Sequence, residues 1–228
     1  MATDVGAVFR RQGNAFLSRM SRLQNLFAED ATDPFDPLWD ETADETSDQM
    51  QAALTASMKA AFDAGVVAAA ATSGSPFSRD LVSKDAIAYL EQHGAELVTA
   101  LNDTTRTQLA GVLSTAMQEG WSYKQTAQTI ASTFEGFSVD RAQLVAVYES
   151  ALAYSEGQSA VARALQAGGH EMVKEWITVN DERVDLVCSE NEGAGPIPFD
   201  DTFPSGDDMA PAHINCRCDV AVYPASES

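Results

Sequence analysis

The apolar periodicity of this chain changes once, at Gly168-Gly169. Before that pair, apolar residues recur three and four positions apart, the pattern of helices with one buried face. After it they alternate, the pattern of strands with two unlike faces. Such a chain is expected to be α+β. A long-helix bundle fills the N-terminal half, and a small C-terminal module with a short antiparallel β-sheet and a long clipped loop follows.

The helical part divides at its breakers. Phe9, Phe16, Met20, Leu23 and Phe27 form one stripe of a helix from about Asp4 to Ala28. Asp33-Pro34-Phe35-Asp36-Pro37 is expected to interrupt regular structure, because proline disfavours helix at the preceding residue. A second helix is predicted from about Glu45 to Thr72, with Met50, Leu54, Met58, Phe62 and Val66 inward, ending at Ser73-Gly74-Ser75-Pro76. The third, from about Ser83 to Glu119, carries Ile87, Leu90, Gly94, Leu97, Leu101, Thr105, Leu109, Val112 and Ala116. Its small and polar stripe members favour a bundle over a free-standing coiled coil.

Gly120 stops that helix, and Ser122-x-x-Gln125 is a capping box for a fourth with Tyr123, Ala127, Ile130 and Phe134 inside. Ser138 is expected to cap a fifth, bearing Val145, Tyr148, Leu152, Val161 and Leu165 and closed by Gly168-Gly169. The predicted organisation is a basic amphipathic helix over 1–30, an acidic linker over 31–48, a helical region over 49–137 and the C-terminal module over 138–228.

Charge narrows the partners. The 228 residues include 34 acidic and 14 basic ones, a formal net charge of −20. A surface this acidic repels phosphates, which argues against nucleic-acid binding over the whole chain. Arg10, Arg11, Arg19 and Arg22 are the local exception, with Asp4 alone against them. From Glu29 to Gln51 no Lys or Arg balances Glu29, Asp30, Asp33, Asp36, Asp40, Glu41, Asp44, Glu45 and Asp48. That run reads as a solvated connector, a surface for a basic partner, or salt adaptation. At 45% hydrophobic residues the chain can form a core, yet no apolar run is expected to be long enough to span a bilayer. No apolar stretch with a small-residue cleavage site follows the N-terminal arginines, so a secretion signal is not expected. Free thiols then fit a reducing cytoplasm.

All three cysteines lie in the C-terminal module. Glu171 to Val179 alternates with Val173, Ile177 and Val179 on one face and Trp176 and Thr178 on the other. Arg217 to Tyr223 alternates with Cys218, Val220 and Val222 together. Between these strands runs the Gly- and Pro-rich segment from Asn180 to Cys216, a length uncommon in a compact domain unless something ties it down. Cys188 at its start and His213, Cys216 and Cys218 at its end are a complete Cys3His set for tetrahedral zinc. A structural zinc site supplies about 10–16 kcal/mol of apparent binding free energy in small peptides, well above the loop-closure cost. In an extended strand Cys216 and Cys218 would stand about 7 Å apart, so both reach one ion only if the chain turns there. The alternatives are buried thiols acting as small hydrophobes and redox pairing. Asp181 and Asp185 are further candidate ligands, or partners of Arg183 or Arg217.

The same segment resembles a known family. Trp176 and Thr178, then Asp181-x-Arg183-Val184, Cys188, a glycine turn and His213-x-Asn215-Cys216-Arg217-Cys218 are similar to the phage head morphogenesis proteins, the minor head proteins related to the Mu F protein and the SPP1 minor head protein. Gly120-Trp121-Ser122, Ile130, Phe134, Arg141-Ala142 and Glu149 resemble the helical lead-in of that module. The resemblance covers about residues 108 to 223. It departs at Asp185, where many relatives have the first cysteine of a Cys-x-x-Cys pair.

The resemblance implies a non-enzymatic minor head protein of a tailed phage or prophage, acting with the portal or major capsid protein. It would be located in the head interior or at the portal of the virion, and in the host cytoplasm during assembly. Within that reading the N-terminal helix is expected to be an attachment segment through Phe9, Phe16 and Met20, so that loss of residues 1–28 leaves a folded protein unable to enter procapsids. A zinc-stabilised module contacting phage DNA through Arg10, Arg11, Arg19 and Arg22 is the second reading, and a metal-dependent hydrolase using the acidic loop is the third. No His-Glu-x-x-His, Gly-x-Ser-x-Gly or Gly-x-x-x-x-Gly-Lys motif supports catalysis. Cys188 with His213 can be drawn as nucleophile and base, but no oxyanion donor can be named. A closed Cys3His site also leaves no position for water.

Overall fold

The computed structural model describes residues 2–20, 35–74 and 84–225. Among these the order is α1 (Ala2–Arg19), α2 (Phe35–Thr72), α3 (Lys84–Glu119), α4 (Tyr123–Ala167), β1 (Met172–Ile177), α5 (Leu186–Gly193), β2 (Ile197–Pro198) and β3 (Asp219–Pro224). The α+β expectation holds, with long helices first and a three-stranded antiparallel sheet of order β2-β1-β3 at the end. The chain forms two compact units, one of residues 1–55 and 92–145, the other of 56–91 and 146–228. The helices α2, α3 and α4 each contribute to both.

The first unit is built on aromatic packing. Phe16, Met20, Phe35, Leu38, Trp39, Leu109, Ile130 and Phe134 form its core, with Phe16 edge-on to Phe35 and Trp39 at centroid distances of 6.0 and 6.1 Å. Gly13 lets α1 approach Phe134, whose ring would lie 2.7 Å from an added Cβ. This corrects the expectation of an attachment helix. Phe9, Phe16 and Met20 are inside the protein, at 0, 0 and 2% exposure. Burying each such side chain stabilises by about 1.5–3 kcal/mol, so removing α1 threatens the unit itself. Leu23, Phe27 and Arg22 lie outside the described residues.

The acidic stretch is also different from expectation. Helix α2 starts at Phe35 rather than near Glu45, so the acids from Asp36 to Asp48 are helical and form no irregular connector. Phe35, Leu38, Trp39, Thr42, Thr46 and Met50 repeat at three and four and are buried, while Asp40, Glu41, Asp44, Glu45 and Asp48 take the exposed face. Pro37 sits in the first turn, where its missing N–H has no helical acceptor in any case. Glu29, Asp30, Asp33 and Pro34 lie outside the described residues, as do Ser75 and Pro76. Further along, the same helix corrects the expectation that no segment is apolar enough to span a bilayer. An 18-residue window of α2 reaches mean hydropathy 1.2, sufficient by length and composition alone. That apolarity is largely alanine, and Met58, Phe62, Val66 and Ala69 are buried in protein.

Other boundaries follow their signals. In α3, Leu90, Gly94, Leu101, Thr105, Leu109 and Ala116 are buried, with Leu97 and Val112 half-buried; the side chain of Ile87 is outside the described set. Gly120 ends α3 at φ +68°. The capping box forms reciprocally: the Ser122 N–H donates to Gln125 Oε1 at 3.0 Å, and the Gln125 N–H to Ser122 Oγ at 3.3 Å. Ser138, by contrast, starts nothing, because α4 runs unbroken through it to Ala167. No proline intervenes, and Gly136 costs an interior helix only about 1 kcal/mol. The closing glycines behave as expected, with Gly169 at φ +90° and the His170 N–H on the Leu165 carbonyl at 3.1 Å.

In the second unit, small residues set the helix packing. A Cβ on Gly65 would meet the Tyr154 carbonyl oxygen at 1.9 Å, and one on Gly157 the Phe62 carbonyl oxygen at 2.2 Å. Here α2 and α4 touch backbone to backbone. Hence Ala153, Ser155, Gly157, Ser159 and Ala162 are buried on α4, while Val145, Tyr148, Leu152 and Leu165 are only half-buried. The expected apolar stripe there holds fully only at Val161.

Candidate metal centre

The sheet positions the cysteines. Strand β1 pairs with β3 so that Trp176 faces Val220 and Ile177 faces Asp219. Its buried face is Met172, Lys174 and Trp176, continued by Thr178, whereas Ile177 and Val179 are 45 and 46% exposed. The two faces divide as the alternation predicts, with Val173, Ile177 and Val179 on one and Trp176 and Thr178 on the other, and the tryptophan face is the buried one. Lys174 enters because its ammonium donates to the Asp208 carbonyl at 2.8 Å and lies 5.5 and 5.3 Å from the ring centroids of Phe199 and Phe203. Burial pushes its pKa down, against the pull of Asp208, Asp200 and Asp201.

The segment from Asn180 to Cys216 is folded rather than structureless. It contains α5 and β2 and is cross-tied at several points. Asn191, fully buried, donates to Ser205 Oγ at 2.9 Å and accepts the Ser205 N–H at 3.0 Å. Glu192 accepts the Thr178 N–H and hydroxyl, each at 2.9 Å. Phe203 stacks edge-on against Trp176 at 5.0 Å. The Ser155 hydroxyl donates to the Ala210 carbonyl.

Asp185 caps α5, its carboxylate accepting the Val187 N–H at 3.1 Å, and this helix carries Cys188 inward at 1% exposure. Across from it, Asn215 adopts φ +66° and the Cys216 N–H returns to the His213 carbonyl at 3.0 Å. The chain therefore turns just before Cys216. Strand β3 begins only at Asp219, so Cys218 lies before it and not in the strand expected from Arg217 onward.

Three of the four expected ligands converge. Cys188 Sγ is 3.3 Å from His213 Nε2 and 3.7 Å from Cys216 Sγ, and all three ligand atoms lie within 4.8 Å of one another. Cys218 is outside that triangle, although its thiol interacts with those of Cys188 and Cys216. The indole N–H of Trp176 makes no hydrogen bond of good geometry, yet it acts on the Cys218 sulfur and favours its thiolate. Burial works the other way and raises both the Cys188 and Cys218 thiols.

His213 Nδ1 lies 2.9 Å from the Ile214 carbonyl oxygen. A carbonyl only accepts, so Nδ1 carries the proton and Nε2 presents its lone pair to the two sulfurs. The candidate aspartates are otherwise engaged. Arg217 holds Asp181 through two bonds of 2.6 and 2.7 Å, and this pairing lowers the Asp181 pKa to about 2. Cys188 beside His213 has the outline of a catalytic dyad, but its thiol is buried and its ionisation disfavoured, the reverse of an activated nucleophile. The sequence had not marked Lys174, Asn191 or Glu192. Only the low hydropathy of Lys174 inside a strand could have drawn notice, and it pointed the wrong way.

This arrangement defines a small α+β module in which a folded loop brings two thiols and an imidazole together. The family model described as Phage Mu protein F like protein matches residues 107–221, just over half of the chain, and its span includes the whole of this cluster. The chain belongs to the Mu F-like family of phage head morphogenesis proteins. No curated protein and no solved structure matches it.

Proposed function

We propose that the protein is a minor head protein that acts structurally, without catalysis, in procapsid assembly at the portal or the inner capsid wall. Membership of a head morphogenesis family carries this reading and implies contact with other head proteins. Two observations fit it. The Cys188 thiol beside His213 is buried and its ionisation disfavoured, as in a structural element rather than an activated nucleophile. The N-terminal arginines are partly committed within the protein: Arg19 pairs with Glu41 and Glu45, and Arg11 donates to Gln49. An arginine held by two carboxylates, as Arg19 is, makes a poor phosphate ligand, which weakens the DNA reading at that position.

With α1 part of the core, attachment belongs to exposed surface rather than to Phe9, Phe16 and Met20. Full-length protein followed through head assembly by sedimentation and mass spectrometry is expected to travel with procapsids. Its absence from every assembly intermediate would reject the proposal.

A further inference from the structure

The geometry points to a structural zinc site made by Cys188 Sγ, His213 Nε2, Cys216 Sγ and, as the fourth ligand, Cys218 Sγ. This goes beyond the head role and does not depend on it. Zinc binds thiolate sulfur at about 2.3 Å and imidazole nitrogen at about 2.0 Å in a tetrahedron. Two sulfurs on such an ion stand roughly 3.8 Å apart, and a sulfur and a nitrogen roughly 3.5 Å. The Cys188–Cys216 and Cys188–His213 separations of 3.7 and 3.3 Å correspond to two edges of that figure.

The surroundings agree with the ligand set. A coordinating histidine ordinarily donates its other ring nitrogen to a carbonyl or carboxylate, as His213 Nδ1 does toward the Ile214 oxygen. The donors come from two ends of one loop, Cys188 from α5 and the others from the turn at Asn215. An ion at their centre would therefore cross-link the loop at its neck. Two or three thiolates and an imidazole form a soft site, suited to zinc and ill suited to magnesium or calcium. Cys218 comes two residues after Cys216, past the same turn, and is the one remaining thiol of the chain, which makes it the candidate for the open vertex.

A thiol cluster held only by hydrogen bonds shares these distances, and metal titration separates the two. Reduced, full-length protein is titrated with cobalt(II), then with zinc, and zinc is also measured in protein as purified. The expected result is saturation at one ion per chain, with the strong visible absorption of tetrahedral thiolate-bound cobalt, displaced by zinc. Cys216→Ser and His213→Ala should each weaken binding at least tenfold. Cys218→Ser should remove about a third of the sulfur-to-cobalt charge-transfer intensity, as three thiolates become two. Unchanged intensity in that variant would overturn the assignment of Cys218. A wild-type chain that takes up neither ion under reducing conditions would overturn the site, whether or not the variants fold.

Discussion

Lys174 is 1% exposed, with two aromatic rings near its ammonium and one carbonyl to receive it. Keeping that charge out of water has a cost, which shows in the lowered pKa. The folded value lies below the ordinary 10.5. Beneath the folded value both states are protonated and the cost is borne in full. As pH rises toward 10.5 the cost disappears, so stability of the C-terminal unit should increase. Tyr223, raised to about 12 by burial and by its hydrogen bond to Glu175, has the opposite sign and erodes stability above about pH 10. Urea unfolding between pH 7 and 10 should therefore show a rise that Lys174→Met flattens. Lys174→Met should stay within about 1.5 kcal/mol of wild type at pH 7, whereas Lys174→Ala should lose roughly 2–4 kcal/mol. At this scale the sequence was half legible. The spacing of Cys188, His213 and Cys216 announced a cluster, and an asparagine just before Cys216 was the available sign of a left-handed turn. Lys174 was hidden because its partners, Phe199, Phe203 and the Asp208 carbonyl, are distant in sequence.

Between elements, the tightest constraint is the crossing of α2 and α4 in the second unit. Gly65 and Gly157 each face the other helix's backbone, which cannot turn aside as a side chain would. Gly157→Ala should destabilise that unit by about 1–3 kcal/mol despite alanine's better helix propensity, and Gly65→Ala likewise. Gly111→Ala, where an added Cβ meets nothing within 4 Å, is the control and should stabilise slightly. Thermal melts of the three variants decide this. Element ends were legible wherever a residue type forces a backbone state, as at Gly120, Ser122 and Gly169. Where residues merely permit an ending, as at Ser138, the helix continued. The start of α2 was missed because its acids outweighed the apolar stripe Phe35, Leu38, Trp39 behind them.

Across the whole molecule, sequence similarity and folding unit do not coincide. The family match begins at residue 107, inside α3, and omits α2 entirely. Yet the second unit includes residues 56–91, and Gly157 of α4 packs directly on the Phe62 backbone. A fragment of residues 107–228 should therefore lack the cooperative unfolding that the whole chain shows; circular dichroism melts of the fragment and of the whole chain test this. The family was readable because its signature is local, a short block around His213 and Cys218. The organisation of the units was not, since it depends on helices that meet far apart in the chain.

The burial of Lys174 also governs the chemistry this surface offers its neighbours. The chain has few primary amines in its side chains, and among them Lys59 and Lys124 are exposed. Among the lysines whose side chains are described, reagents that acylate or cross-link amines will find Lys59 and Lys124 and pass over Lys174 for as long as the sheet stays closed. Amine cross-linking would thus report on the helical surfaces that carry Lys59 and Lys124, and Lys174 would enter the reaction only once the sheet opens.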